Sequence, residues 1–200
     1  MTAPIDFYFD FSSPYGYLAS EMIGPLAARF GRNVDWHPVL LGVVFKSTGS
    51  APLASIPLKG EYSMNDVARS ARYHGVPYRR PSEFPIATQH AARGFFWLAD
   101  RNRQLAREFA QACYRSYFVD DKNIAQPDVL RDIAASLGID PAQFSTAANE
   151  PAAKERLKAE VDLAMARGVF GSPYFIVDSE AFWGVDRLPQ LEKWLAEGGF

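Results

Sequence analysis

Two adjacent serines stand where a strand pattern gives way to a helix pattern, in the segment FDFSSPYGYLA at residues 9–19. The preceding apolar run predicts a buried strand over residues 5–11, and apolar residues at helical spacing predict a helix over residues 14–30. Ser13 followed by Pro14 is typical of a helix start, because the hydroxyl accepts an orphan amide hydrogen and proline has none to leave unpaired. Helix capping alone therefore explains Ser13.

A second explanation of Ser13 is chemical. A helix N-terminus at the carboxyl end of a strand combines free N–H groups with the positive end of the helix dipole, so it stabilises an anion such as a thiolate. A serine hydroxyl adds one more donor, and it can lower the pKa of a bound thiol without being a nucleophile. No His or Lys lies beside Ser13 in the motif to activate it, and the chain has no GxSxG elbow.

Composition limits the other kinds of chemistry. The net charge of −2, from 21 basic and 23 acidic side chains, gives no reason to expect nucleic acid or a membrane surface as partner. No apolar stretch reaches the roughly 18–20 residues that a membrane span needs, and the N-terminus lacks the pattern of a signal peptide. We therefore expect a cytoplasmic protein. The length of 200 residues suits one domain, or one domain with a large insertion, and 48% hydrophobic residues suffice for a sizeable core.

Cysteine and histidine usage argues against a disulfide or a metal site. Cys113 is the only cysteine and lies on the apolar side of a helix pattern, so we interpret it as a packing thiol. The three histidines, His37, His74 and His90, are far apart in sequence and form no metal-ligand spacing, so no metal is expected.

The remaining elements are read from periodicity and from glycine and proline signals. NVDWHPVLL predicts a second strand, and residues 42–60, rich in Gly, Ser and Pro, predict a long binding loop. Helices are predicted near residues 63–74, 88–101, 103–118, 127–137, 141–148 and 151–167. SPYFIVD and AFWG predict the last two strands, and VDRLPQLEKWLAEGG predicts the last helix. Neither strand pair is stable alone, so all four strands should share one sheet.

This α/β order, β-α-β, a helical block, then β-β-α, resembles a DsbA-like thioredoxin fold. The resemblance implies a thioredoxin-like domain from residues 1–60 and 169–200, interrupted by an all-helical insertion domain at residues 61–168. Redox members carry Cys-x-x-Cys at the first turn. This chain has SPYG at residues 13–16, which excludes dithiol chemistry.

Several motifs make the resemblance more specific. FDFSSPYGYLA resembles the opening of kappa-class glutathione transferases and of 2-hydroxychromene-2-carboxylate isomerases. The segments LKGEY, GVP, GVFGSP and FWGVDRL follow in the order of that family. The resemblance implies glutathione as the cofactor, with the Ser13 hydroxyl bonded to its sulfur and with Pro14 and Tyr15 beside it. Ser12 is interpreted as structural.

Two later segments are implied to complete the glutathione site. GVFGSPYF resembles the loop before the cis-proline of thioredoxin folds, so Ser172–Pro173 is predicted to be cis. The Ser172 backbone would then bind the tripeptide as an added strand does. FWGVDRL resembles the segment that holds the γ-glutamyl group. The residues implied there are Trp183, Gly184, Val185 and Asp186, and Asp186 is also a candidate N-cap of the last helix.

Four residues are candidates for substrate binding. By resemblance, Lys46 helps to bind an anionic substrate, and Phe84 lies where an aromatic side chain can flank it. Ser50 stands where transferases often carry Asn. Lys59, in the segment LKGEY, is the fourth candidate. The alternatives are a solvated charge for each lysine and core packing for Phe84.

The function implied is a glutathione-dependent cis–trans isomerase of an aromatic 2-hydroxychromene-2-carboxylate-type substrate. Two alternatives stay open: a kappa-class transferase, and a non-catalytic thioredoxin-like protein that binds glutathione or a peptide. Relatives in this family are commonly dimers, so a homodimer is expected.

Overall fold

A computed structural model of the chain describes residues 3–200. Met1 and Thr2 lie outside the described residues. They are the first two residues of the predicted domain at residues 1–60 and of the N-terminus that lacks a signal-peptide pattern. Four strands form one sheet in the order β2-β1-β3-β4. Their bounds are β1 Ile5–Phe9, β2 Val34–Pro38, β3 Tyr174–Val177 and β4 Glu180–Trp183. Strands from both ends of the chain therefore share a sheet, as predicted.

The pairing of β1 places the candidate site at one end of the sheet. β1 runs parallel to β2, with Phe9 opposite Pro38, and antiparallel to β3, with Tyr8 opposite Tyr174. Phe7 stacks on Phe175 at 5.3 Å between ring centroids, so the two central strands share a buried aromatic face. The carboxyl end of β1 thus lies beside the amino end of β3, which brings residues 10–13 and 172–173 together.

The helices agree closely with the sequence prediction except after β2. Their bounds are α1 Pro14–Arg29, α2 Leu41–Thr48, α3 Lys59–His74, α4 Gln89–Ala99, α5 Arg103–Phe118, α6 Pro127–Ser136, α7 Pro141–Asn149, α8 Pro151–Ala166 and α9 Leu188–Glu197. Short 3-10 turns cover Leu53–Ser55 and Val185–Arg187. Helices α3 to α8 lie between β2 and β3 in the chain, so the connectivity is that of a DsbA-like thioredoxin fold. The domain division at residues 60 and 168 stays a prediction.

The segment at residues 42–60 is not the long loop that its composition predicts. Its first part is α2, which ends at Gly49 in the left-handed conformation. No side chain of residue 40 caps α2. Instead, the Leu41 N–H donates to the Asp10 carboxylate at 2.7 Å, so the helix is capped from 31 residues away in sequence.

Cys113 is fully buried on α5, which confirms the packing interpretation. Burial raises the pKa of its thiol well above the usual range, so it stays protonated and unreactive. Across residues 3–200, no cluster of His, Cys, Asp and Glu could hold a metal ion. In the same residues, no helix has the length and apolarity needed to cross a bilayer.

Candidate functional site

Ser13 is buried at the N-terminus of α1 and makes two hydrogen bonds. Its Oγ accepts the Gly16 N–H at 3.0 Å, which is the predicted N-cap bond. The same hydroxyl donates to the Ser172 carbonyl at 3.1 Å. Ser13 therefore caps α1 and also contacts the residue before Pro173, so the capping and chemical explanations coexist.

The first turn of α1 leaves one amide available. Pro14 has no N–H, and the Tyr15 N–H has no hydrogen-bond acceptor among residues 3–200. The Tyr15 hydroxyl points elsewhere, donating to Asp66 on α3 at 2.7 Å. Burial and Asp66 raise the pKa of this phenol, so it remains a donor at neutral pH. Tyr15 thus offers its backbone to a ligand, while its side chain joins α1 to α3.

The Ser172–Pro173 peptide bond is cis, as predicted. The Ser172 Oγ accepts the Asp10 N–H at 3.1 Å, and the Pro173 carbonyl accepts the Gly184 N–H at 3.0 Å. The second bond brings the FWGVDRL segment against the cis-proline loop. Three segments that are distant in sequence therefore meet at the start of α1.

Close packing at Gly16 keeps these segments together. A Cβ at this position would lie 2.7 Å from the Tyr114 Oη and 2.8 Å from the Ser172 Oγ. A glycine is required because the α1 backbone contacts both side chains directly. The φ of Gly16 is not in the left-handed region, so glycine is needed here because there is no room for a side chain.

The FWGVDRL segment offers mainly backbone groups to the candidate site. Val185 is buried, so its side chain is unavailable to a ligand. Asp186 is exposed in the 3-10 turn and pairs with Arg187 at 3.2 Å. The prediction that Asp186 caps the last helix is wrong, because α9 begins at Leu188 with Arg187 as its N-cap. Trp183 is 54% exposed and lines a cavity of about 280 Å³ beside β4 and α9.

The candidate substrate residues lie between the end of β2 and the first residue of α3, apart from Phe84. Lys46 is exposed in the last turn of α2, and Lys59 is exposed at the first position of α3. The exposed Ser50 hydroxyl accepts a hydrogen bond from Thr48 at 3.0 Å. Phe84 is half-buried and packs against the core. The first three side chains are accessible to solvent, whereas Phe84 also has a packing role.

Ser12 has the structural role that was expected of it. Its hydroxyl accepts the Ile86 N–H at 3.2 Å, which fixes the loop after the cis Phe84–Pro85 bond. The first of the two serines therefore binds the helical part of the chain, and the second faces the cis-proline loop.

Asp10 is a residue that sequence reasoning missed. It is 4% exposed, and its carboxylate accepts hydrogen bonds from Ser12, Leu41 and Thr88. The available signal was a single acidic residue in the otherwise apolar run FYFDF. Because acidic side chains are rarely buried without partners, that residue indicates a polar contact at the end of β1, but not which residues provide it.

The arrangement can hold an anion and orient it. The hydroxyl of Ser13 and the free N–H of Tyr15 lie at the positive end of α1, where negative charge is stabilised. The Asp10 carboxylate, three residues before Ser13 in the chain, is directed at other helix starts. The arrangement is therefore suited to stabilising a ligand's thiolate, and within residues 3–200 no basic side chain hydrogen-bonds to Ser13.

Comparison with known proteins finds a family and several relatives that span nearly the whole chain. The family profile described as DSBA-like thioredoxin domain matches residues 4–196. A 2-hydroxychromene-2-carboxylate isomerase of Sphingobium xenophagum is 31% identical over 200 residues, 98% of this chain and 100% of the relative. A glutathione S-transferase kappa 2 of Caenorhabditis elegans is 26% identical, covering 96% of this chain and 92% of the relative. A solved 2-hydroxychromene-2-carboxylate isomerase superposes with a TM-score of 0.88 at 26% identity, covering 96% of this chain and 94% of that chain.

Proposed function

Because this chain belongs to the DsbA-like thioredoxin family, in the group of 2-hydroxychromene-2-carboxylate isomerases and kappa-class glutathione transferases, we propose that it is a glutathione-dependent cis–trans isomerase. Its substrate is an aromatic hydroxychromene-type carboxylate. The observation that carries the proposal is the contact between the Ser13 hydroxyl and the Ser172 carbonyl, at the start of α1 and beside a cis-proline.

The donor set of the site fits glutathione. The Tyr15 N–H is an amide without an acceptor among residues 3–200, and it is placed at a helix start, where a thiolate is stabilised. The Ser172 carbonyl faces the Ser13 hydroxyl, and the backbone there can pair with a peptide in the manner of an added strand. At the next segment, the backbone of Val185 and the carboxylate of Asp186 are suited to the charged γ-glutamyl end.

Ser13 can exchange its hydrogen-bond acceptor when the tripeptide binds. In this structure its proton is directed at the Ser172 carbonyl. A peptide N–H that takes over this carbonyl leaves the Ser13 hydroxyl able to turn towards sulfur. The N-cap bond from Gly16 is kept, because it uses the oxygen of Ser13 as acceptor. Ser13 thus stabilises the thiolate without becoming a nucleophile.

Ser13, Tyr15 and Ser172 would hold glutathione, which would supply a thiolate nucleophile for reversible addition to a conjugated carbon and would be regenerated rather than consumed. Lys46 and Lys59 bind the substrate carboxylate through their ammonium groups. Both ammonium groups are exposed, and neither forms a salt bridge within residues 3–200. Phe84 is proposed to flank the aromatic ring, and Ser50 to supply a polar contact.

A kappa-class transferase is the second candidate, favoured by the match to the nematode transferase over nearly the whole chain. The two activities differ in the fate of glutathione, which an isomerase regenerates and a transferase consumes. A non-catalytic glutathione- or peptide-binding protein is the third candidate, and it would bind the tripeptide without turnover of either substrate class.

The test is a glutathione binding titration followed by turnover assays with both substrate classes. We expect interconversion of hydroxychromene carboxylate isomers that requires glutathione and leaves its total concentration unchanged. Stoichiometric loss of free thiol with an aryl halide, without isomerisation, would identify a transferase instead. Binding with neither activity would support the non-catalytic alternative.

A further inference from the structure

Asp10 ends β1 with a buried carboxylate that takes no direct part in the proposed chemistry. Its Oδ1 accepts the Ser12 N–H at 2.8 Å and the Thr88 hydroxyl at 3.0 Å. Its Oδ2 accepts the Leu41 N–H at 2.7 Å. Both oxygens are therefore engaged in a residue that is 4% exposed.

The three donors to Asp10 belong to the starts of three helices. Ser12 precedes the N-cap of α1, Leu41 is the first residue of α2, and Thr88 is the N-cap of α4. Burial raises the pKa of Asp10, whereas the hydrogen bonds from its three partners favour the carboxylate. Helix N-termini favour a negative charge for the same reason. One side chain thus joins three helix ends beside the carboxyl end of β1.

The backbone of Asp10 holds a different set of partners. Its N–H donates to the Ser172 Oγ at 3.1 Å. Its carbonyl accepts the Ser13 N–H at 2.8 Å and the Tyr114 hydroxyl at 2.9 Å. The backbone therefore positions the residues proposed to bind glutathione, while the side chain positions α2 and α4.

We propose that Asp10 is a positioning residue whose carboxylate holds α2 and α4 against the start of α1 and so places the aromatic-substrate side of the cleft. The link to the substrate rests on the proposed function, in which Lys46 on α2 and Phe84 in the chain before α4 bind the substrate. A change of the Asp10 side chain spares the backbone contacts to Ser13 and Ser172. It should therefore affect the aromatic substrate more than glutathione.

The first test measures amide hydrogen exchange in the intact protein. In Asp10→Ala, we expect the start of α2 to exchange about tenfold faster, since the buried hydrogen bond from the Leu41 N–H is lost. The Gly16 and Tyr17 amides, both bonded to Ser13, should be unchanged. Thr88→Val removes only the hydroxyl bond, so it should loosen α4 and leave α2 protected.

Two further variants keep this test interpretable. Asp10→Asn retains the side-chain volume and one acceptor oxygen, so it serves where Asp10→Ala folds poorly and should give a smaller effect in the same amides. Asp140→Ala removes an N-cap on α7 that accepts two backbone N–H groups and shares no hydrogen-bond partner with Asp10. It controls for a general loss of helix stability and should not alter exchange in α2.

The second test separates positioning from simple destabilisation. We expect Asp10→Ala and Asp10→Asn to raise KM for the aromatic carboxylate by about tenfold, with the glutathione Kd changed less than about threefold. A merely structural role would lower kcat through a smaller folded fraction and leave KM unchanged.

Each outcome decides a separate claim. Unchanged protection of α2 in both Asp10 variants would overturn the positioning role, whether or not the protein is active. Faster exchange with an unchanged KM would overturn its link to the substrate. If wild type binds no glutathione, the proposed function fails, and the exchange data alone support or reject the anchoring of α2 by Asp10.

Discussion

Ser13 uses one oxygen as an acceptor and one proton as a donor, and these two bonds belong to different roles. The acceptor bond stabilises the helix, because it satisfies the Gly16 N–H. The donor bond is directed across the site at Ser172. Replacement of the hydroxyl therefore has two measurable consequences, one for stability and one for the bound thiol.

Ser13→Ala is expected to raise the pKa of the bound glutathione thiol by about 1–2 pH units, since a hydrogen bond to a charged group contributes about 1.5–3 kcal/mol. Loss of the cap should also lower stability by about 1 kcal/mol. The measurement is thiolate absorbance against pH with glutathione bound. Turnover near neutral pH should fall and recover partly at higher pH.

Asn102→Ala is the matched control for this prediction. Asn102 caps α5 by accepting the Gln104 and Leu105 N–H groups at 3.0 and 3.1 Å, so its loss should cost a similar amount of stability. It should not change the thiol pKa. Superimposable titrations for wild type and Ser13→Ala would reduce Ser13 to a helix cap.

Also at the residue scale, the role of Ser13 could be predicted from its neighbours in the sequence, whereas that of Asp10 could not, because its partners are distant in the chain. Ser13 and Pro14 are adjacent, so a cap could be predicted from two letters. Asp10 accepts from Leu41 and Thr88, which lie 31 and 78 residues away. Such a network exists only once the helices are placed, so a single sequence shows no more than an acidic residue in an apolar run.

At the scale of the element, α1 depends on a close backbone approach. Gly16→Ala should lower the free energy of unfolding by about 1–3 kcal/mol, because the new methyl group overlaps the Tyr114 and Ser172 oxygens. Gly42→Ala in α2 meets no atom within 4 Å and should raise stability by about 0.5–1 kcal/mol. Urea unfolding of both variants is the measurement, and equal effects of the two changes would show that crowding at Gly16 is absent.

Helices with their own signals were predicted closely, and α2 was not. The pattern over residues 103–118 predicts α5 with the bounds that the structure has, because an Asn cap and an apolar face coincide there. α2 has glycine at its second position and no side-chain cap of its own. Its start is stabilised through tertiary structure by Asp10, and local propensity could not indicate this.

At the scale of the whole molecule, a polar cluster joins the sheet to α8. Asp6 on β1 accepts from Arg167 at 2.7 Å and lies 3.0 Å from the His37 ring nitrogen. Burial alone would raise the pKa of Asp6, but hydrogen bonds and charges from His37 and Arg167 outweigh it and lower this pKa below 3.8. A carboxyl group with a lowered pKa stabilises the fold at pH values above its pKa in the unfolded chain. This contribution is lost as the pH falls through its pKa in the folded protein.

Asp6→Asn should therefore lower Tm at neutral pH, with the difference from wild type shrinking as pH falls below about 3.8. Melting curves across the acid range measure this. Asp128→Asn is the control, since Asp128 forms an exposed pair with Arg131 inside α6 and such pairs contribute little. A difference for Asp6→Asn that persists undiminished into strong acid would contradict the ionic role.

The homodimer stays a prediction at this scale. Because the expectation comes from resemblance, sedimentation of the wild-type chain at micromolar concentration is the appropriate measurement. We expect a species of twice the chain mass of 22.3 kDa. A single monomeric species over that range would rule out a stable dimer and leave the site within one chain unaffected.

The position of the sulfur in a glutathione complex tests the central claim most directly. A crystal structure of the wild-type protein with glutathione should show the sulfur within hydrogen-bonding distance of the Ser13 Oγ and near the Tyr15 N–H. The Ser172 backbone should pair with the tripeptide, and the Ser13–Ser172 contact should be broken. A sulfur bound away from Ser13, or no binding at millimolar glutathione, would contradict the proposed mechanism.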